Sequence, residues 1–188
     1  MQPIIRIMMM VLADKKKRET LLTAIIAIII AIVMAVTVLF NFFIAAVLMN
    51  NLYYFPMPDF TYINSPYDLE RVHPIYKTPR PHLGADMPAP EGTEILCPKD
   101  GIVTGVVLDP LSLTSGGSTI TLLHSNGQET KYRHCSEIKK NIGDIVKIGD
   151  VIALCGNTGY SSTGPHLHFE ILVLGVPIDP EPFLVPWP

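Results

Sequence analysis

The chain has 188 residues, of which 48% are hydrophobic and only 16% charged, with a formal net charge of −3. Globular domains carry about a quarter charged residues, so this composition excludes a disordered or highly charged chain and points to a membrane segment. Beyond residue 50 there are nine bases and fifteen acids, which speaks against a nucleic-acid partner, because phosphate binding needs clustered Lys and Arg.

Residues 1–20 form a short N-terminal segment with five bases (Arg6, Lys15, Lys16, Lys17, Arg18) and two acids. Its apolar stretch 4–12 is too short to span a bilayer and carries Arg6. Residues 21–49 follow, 29 positions without a charge. A helix needs roughly 20 residues to cross the hydrocarbon core. A cleaved secretory signal has an apolar stretch of only about 7–15. The segment therefore predicts an uncleaved, single-pass transmembrane helix. The basic cluster before it predicts a cytoplasmic N-terminus. Tyr53, Tyr54 and Phe55 would form an aromatic belt at the far interface, with the remaining chain extracytoplasmic.

Residues 50–70 contain Pro56, Pro58 and Pro66 and predict an extended linker. From residue 71 to 188 the texture becomes short alternating runs punctuated by Gly, Asn and Asp. Strands are expected at 102–108 and 119–123, and Asn126-Gly127 predicts a hairpin into a partner strand at 129–133. The doublet Gly143-Asp144 and Gly149-Asp150 predicts two tight turns, and 166–174 another strand. No helical period persists after residue 50. The expected fold is mainly β, a small antiparallel sandwich or open barrel behind one N-terminal transmembrane helix. Cys97, Cys135 and Cys155 are too few and too scattered for a disulfide framework or a Cys-based zinc site. One pair could form, and spacing does not say which.

The histidines carry the chemical signal. His82 and Asp86 are four apart, but Pro79, Pro81, Pro88, Pro90 and Gly84 make a helix there implausible. A loop leading into a strand is expected instead. His166 and His168 are two apart, so on a strand both imidazoles face one side while Leu167 and Phe169 face the other. Glu170 shares the histidine face and is either an acceptor for an imidazole or an ordinary structural carboxylate. Imidazole nitrogens and a carboxylate oxygen suit zinc, and three protein ligands with an open fourth position mark a catalytic site. No H-E-x-x-H helix is present, so the usual metalloprotease base is missing.

The motifs H-L-G-A-D-M-P-A-P-E-G-T (82–93), Y-R-H (132–134), I-G-D-I-V-K-I-G-D-V-I-A (142–153), G-N-T-G-Y-S-S-T-G-P-H-L-H-F-E (156–170) and P-I-D-P (177–180) resemble the lysostaphin-type zinc endopeptidases. These enzymes cut peptide cross-links of bacterial cell walls. The resemblance runs from Arg71 to Leu184 and implies a zinc metallopeptidase domain over 71–188. By that resemblance the zinc ligands fall on His82, Asp86 and His168, and the two non-ligand active-site histidines on His134 and His166. Tyr76, six before His82, is the counterpart of an oxyanion-holding Tyr of some members. The implied activity is hydrolysis of peptide bonds in peptidoglycan cross-links or stem peptides. One of His134 and His166 would accept a proton from water, and the other would stabilise the oxyanion or protonate the leaving amine. Sequence does not divide these roles, and it does not choose between a glycyl-glycine and a D-alanyl bond. The rival reading is a non-catalytic peptidase-like module that binds a partner in a cell-envelope complex. Such modules lose ligands, whereas here all five positions are filled.

Overall fold

A computed structural model describes residues 3–72 and 77–188, and the chain divides into two units, Met1–Asn50 and Asn51–Pro188. The first unit is helical. Helix α1 spans Pro3–Ala13 and helix α2 spans Lys15–Met49. Asp14 separates them because its carboxylate accepts the backbone N–H groups of Lys16 and Lys17 at 3.0 and 3.3 Å, an N-cap that starts α2. The helix therefore begins six residues before the uncharged run and takes in the basic cluster. Its 35 residues make about 52 Å at 1.5 Å each, more than the roughly 30 Å of bilayer hydrocarbon. Its threonines are satisfied internally, as where Thr37 donates to the Val33 carbonyl at 2.8 Å. None of its side chains is buried by protein, and it is long and apolar enough to cross a membrane.

The second unit is mainly antiparallel β, as expected. Strand β1 is Tyr53–Tyr54, β2 Ala85–Pro88, β3 Glu94–Leu96 and β4 Gly101–Val107. Then come β5 Thr119–His124, β6 Gln128–Arg133, β7 Glu137–Ile138, β8 Ile145–Val146 and β9 Val151–Leu154. Strand β10 is His166–Val173, β11 Val176–Ile178 and β12 Leu184–Val185, with a 3-10 turn at Glu181–Phe183. The main sheet runs β11-β10-β6-β5-β4-β8, and β2 also pairs with β10. A second sheet runs β3-β9-β7, and β1 pairs with β12 in parallel. The Asn126-Gly127 hairpin forms between β5 and β6, where Gly127 takes φ +78°, a conformation costly for other residues. Both Gly-Asp turns form: Asp144 accepts from the Asn141 N–H at 2.8 Å and Asp150 from the Lys147 N–H at 3.0 Å. All three cysteines are buried thiols with no disulfide.

The core gathers one face of each strand, including Ile120, Leu122, Tyr132, Leu167, Phe169 and Ile171. It also holds Tyr53 and Met57, 1% and 0% exposed. The stretch expected to be an extended linker is thus built into the folded unit. Tyr53 donates to Gln128 Oε1 at 2.8 Å, Trp187 stacks on Tyr54 with ring centroids 4.7 Å apart, and the Leu96 N–H bonds the Pro56 carbonyl at 2.8 Å. Further on, the Asp86 N–H donates to the Ser65 carbonyl at 2.9 Å, and Asp68 and His82 exchange backbone bonds of 3.0 and 2.6 Å. Residues 64–68 are therefore a wall of the region that holds the histidines.

Candidate metal and catalytic site

Strand β10 organises the site because it has partners on both edges. Along one edge His168 lies opposite Asp86 of β2, and along the other it lies opposite Arg133 of β6. Side-chain alternation sends Leu167 and Phe169 into the core while His166, His168 and Glu170 share the other face. His82 precedes β2, and the intervening Gly84 lets the chain pass close to β10. A Cβ on Gly84 would lie 2.4 Å from the Phe169 carbonyl oxygen and 2.8 Å from His168 Nε2, so only glycine fits there.

His82 Nε2 lies 3.0 Å from Asp86 Oδ1 and 3.0 Å from His168 Nδ1, and His168 Nδ1 lies 2.7 Å from Asp86 Oδ1. His82 and His168 are buried, and the three ligand-type atoms all fall within 4.8 Å of one another. The outward ring nitrogens are already committed. His82 Nδ1 donates to the Pro66 carbonyl at 2.7 Å, and His168 Nε2 donates to Glu170 Oε1 at 3.1 Å. Those bonds leave a lone pair on each inward nitrogen, facing the other and the Asp86 oxygen. Three converging acceptors repel one another unless a cation lies between them, so the donor set fits a metal. Donor atoms held tetrahedrally at about 2.0–2.1 Å from zinc stand roughly 3.3 Å apart, close to the spacing found. A proton on an inward nitrogen relieves the same repulsion: burial alone would raise the Asp86 pKa, but the hydrogen bonds that His168 and His82 donate when such a proton is present outweigh it and hold the carboxyl well below the usual carboxylate range. Burial likewise disfavours a charged His168, yet Asp86 and Glu170 on either side push its pKa upward.

His134 and His166 sit beside this centre, their rings 4.7 Å apart between centroids. His134 Nδ1 donates to the Thr158 carbonyl at 2.7 Å, and His166 Nδ1 to the Gly164 carbonyl at 2.7 Å. Each ring's Nδ1 is thus occupied and its Nε2 takes no part in that bond, and the Nε2 of His166 lies 3.7 Å from Asp86 Oδ1, on the side of the metal-binding set. Burial, with the neighbouring imidazoles of His166 and His168, pushes the His134 pKa down to about 3. A neutral imidazole with a free Nε2 can accept a proton. His134 also has φ +65°, a strained backbone for a non-glycine residue, in the turn directly after β6.

Two hollows flank the centre. One, of about 280 Å³, is lined by Asn64, Ser65, Arg71, Asp86 and His166 among others. The other, of about 140 Å³, is lined by Ser115, Arg133, His134, Ser161, His168 and Glu170 among others. The structure thus brings His82, Asp86, His134, His166, His168 and Glu170 into one place, while Tyr76 lies outside the described residues. Sequence reasoning missed Arg133, whose Nε lies 2.8 Å from Glu170 Oε1. Its position between Tyr132 and His134 was the available signal. It also missed the carbonyls of Pro66, Thr158 and Gly164, which have no side-chain signature.

A family profile described as Peptidase family M23 matches residues 80–180. The chain is similar to a DD-carboxypeptidase/endopeptidase Mpg of Neisseria meningitidis, 39% identical over 131 residues, covering 69% of this chain and 28% of that protein. It is also similar to the peptidoglycan DD-endopeptidase ShyA of Vibrio cholerae, 38% identical over 117 residues, covering 62% of this chain and 26% of that one. A solved structure of a zinc-containing peptidase from Vibrio cholerae superimposes with a TM-score of 0.59 at 35% identity, covering 68% of this chain and 39% of that one. The chain spans about 30% or less of the length of these curated relatives.

Proposed function

We propose a function from a single premise: the chain belongs to peptidase family M23, a family of zinc metallopeptidases. The reading is a membrane-anchored zinc endopeptidase that hydrolyses peptide bonds of peptidoglycan. The observation that carries it is the meeting of His82 Nε2, Asp86 Oδ1 and His168 Nδ1, with their lone pairs turned to one point. These three side chains would hold one zinc ion. Zinc in a three-ligand site polarises a carbonyl group and lets water give up a proton near neutral pH.

The chain's own residues then divide the work. Glu170, braced by Arg133, holds the His168 ring by its Nε2–H and keeps the Nδ1 lone pair inward. The Pro66 carbonyl does the same for His82. His134 and His166, locked by carbonyls at their Nδ1 atoms, present two Nε2 atoms toward the substrate. One accepts the proton from water, and the resulting imidazolium delivers it to the leaving amine. The other, when protonated, donates a hydrogen bond to the developing oxyanion.

Helix α2 would act as the anchor. Lys15, Lys16, Lys17 and Arg18 lie at its N-terminus, where the helix dipole disfavours positive charge. Their placement is explained by the retention of positive flanks in the cytoplasm, which puts the β unit outside. A tethered enzyme of this kind reaches only wall close to the membrane.

The test uses the full chain purified in detergent. It should bind about one zinc per chain and release cleaved cross-links from purified wall, as read by mass spectrometry. A chelator should stop release and added zinc should restore it. His168→Ala should lose both the metal and the activity. Full activity in the metal-free protein would overturn the reading.

A further inference from the structure

Arg71 occupies the same cleft and has no part in the steps above. It lines the hollow of about 280 Å³ with Asn64, Ser65, Asp86 and His166. Its Nη1 donates to Ser65 Oγ at 3.0 Å, and that hydroxyl lies 3.4 Å from His82 Nδ1. The guanidinium is thus one side chain away from the metal-binding set. Its Nε–H is buried and has no hydrogen-bond partner. A buried donor without a partner is destabilising, and a charged one more so. Asp86 is the only carboxylate among the described residues lining this hollow, and it is engaged by His82 and His168 rather than by Arg71.

We infer that Arg71 is a substrate-binding residue whose guanidinium takes the free α-carboxylate borne by the residue on the amine side of the cut bond. This rests on the peptidase reading above. A guanidinium fork matches a carboxylate with two parallel N–H···O bonds, and Nε with an Nη is one of its bidentate edges. The hollow shares Asp86 and His166 with the candidate centre, so a carboxylate held there belongs to a residue next to the scissile amide. Two kinds of peptide end offer that group. In a D-alanyl cross-link to a diamino acid, the carbon bearing the leaving nitrogen can also bear a free carboxylate. A C-terminal D-amino acid offers it too. An oligoglycine bridge does not, because its chain continues through another amide. Arg71 therefore selects the D-alanyl bond over the glycyl-glycine bond.

The experiment uses the zinc-loaded full chain in detergent and two fluorescent D-alanyl peptides. They differ only in whether the leaving residue carries a carboxylate or a carboxamide. Binding is read by anisotropy and turnover by chromatography. The wild type should prefer the acid by roughly tenfold to a hundredfold, the range of a hydrogen bond to a charged group. Arg71→Ala should bring the ratio of acid to amide close to one. Arg71→Lys keeps the charge but loses the fork, so its ratio should fall between the two. It decides the matter if Arg71→Ala does not fold. Equal treatment of both peptides by the wild type, or an undiminished preference in Arg71→Ala, overturns the inference. Cleavage of both peptides at one rate would leave the peptidase reading standing and remove only the role of Arg71. Selective binding of the acid with no cleavage of either would do the reverse.

Discussion

His168 and Asp86 are 82 positions apart, yet they face each other directly across strands β10 and β2, with Nδ1 and Oδ1 2.7 Å apart. The antiparallel register produces this contact. Shifting β2 by one residue would turn Asp86 to the opposite face of the sheet and Met87 toward the histidines. The buried Ala85 and Met87 oppose that slip, since both would leave the core. Hydrophobic burial thus fixes the position of a polar site.

The bond between Glu170 and His168 Nε2 fixes which imidazole nitrogen faces the metal position. Glu170→Gln keeps the size of the side chain but weakens the acceptor. Zinc affinity should fall by about 10–100-fold, the usual effect of removing an outer partner of a ligand. Competition with a chromophoric chelator measures it. Unchanged affinity would mean that Glu170 serves only its ion pair with Arg133.

His134 and His166 lie outside the set of three ligand atoms. His134→Ala and His166→Ala should each keep the zinc stoichiometry and lower the cleavage rate by about 10²–10⁴-fold. Metal analysis and steady-state kinetics on the same preparations separate the two effects. A double variant that still cuts at the wild-type rate would remove both residues from the mechanism.

Tyr53 tests whether residues 51–57 belong to the folded unit. It is 1% exposed and donates to Gln128 Oε1. Truncating a buried aromatic side chain to Ala costs about 3–5 kcal/mol. Tyr53→Ala should therefore lower the thermal midpoint of the β unit by roughly 10 °C or more. In a solvated linker the same change would stay within about 0.5 kcal/mol, and an unshifted midpoint would support that picture.

His124 gives a pH dependence away from the site. Its Nδ1 donates to the Asp100 carbonyl at 3.0 Å, and its Nε2 accepts from the Thr130 hydroxyl at 2.8 Å. Burial holds its pKa below the ordinary 6.5. The unfolded chain thus binds a proton more readily than the folded one. The stabilisation is complete above about pH 6.5 and is lost as pH falls through the lowered folded value. The ring signals of His124 should titrate below pH 6.5 by NMR. A midpoint at or above 6.5 would show that the imidazole is not held neutral.

Several features were legible from sequence because they depend on neighbours along the chain. The 29 uncharged residues announce a long apolar helix, since each residue of such a helix meets the solvent or lipid separately. Asn126-Gly127 announces its hairpin through its own backbone preferences, and His166, His168 and Glu170 share a face because a strand alternates with period two. The lysostaphin-type resemblance, through motifs with fixed spacing, named His82, Asp86, His134, His166 and His168 together.

Other features depended on contacts that local patterns do not encode. The prolines and aromatics of residues 51–70 read the same in a solvated connector as in a segment laid against a sheet. Whether Tyr53 is buried was decided by partners far along the chain, Gln128 and His124 at its side chain and β12 beside its backbone. The orientation of each imidazole was decided by carbonyls of Pro66, Thr158 and Gly164, groups that every residue carries. The place of Arg71 was decided by a chain path that returns to Ser65 and Asp86. Sequence alone determined which chemical groups this protein owns and the short-range spacing between them. Only tertiary structure decided which of them meet, because long-range packing and backbone hydrogen bonds set the distances on which a metal site and a carboxylate pocket depend.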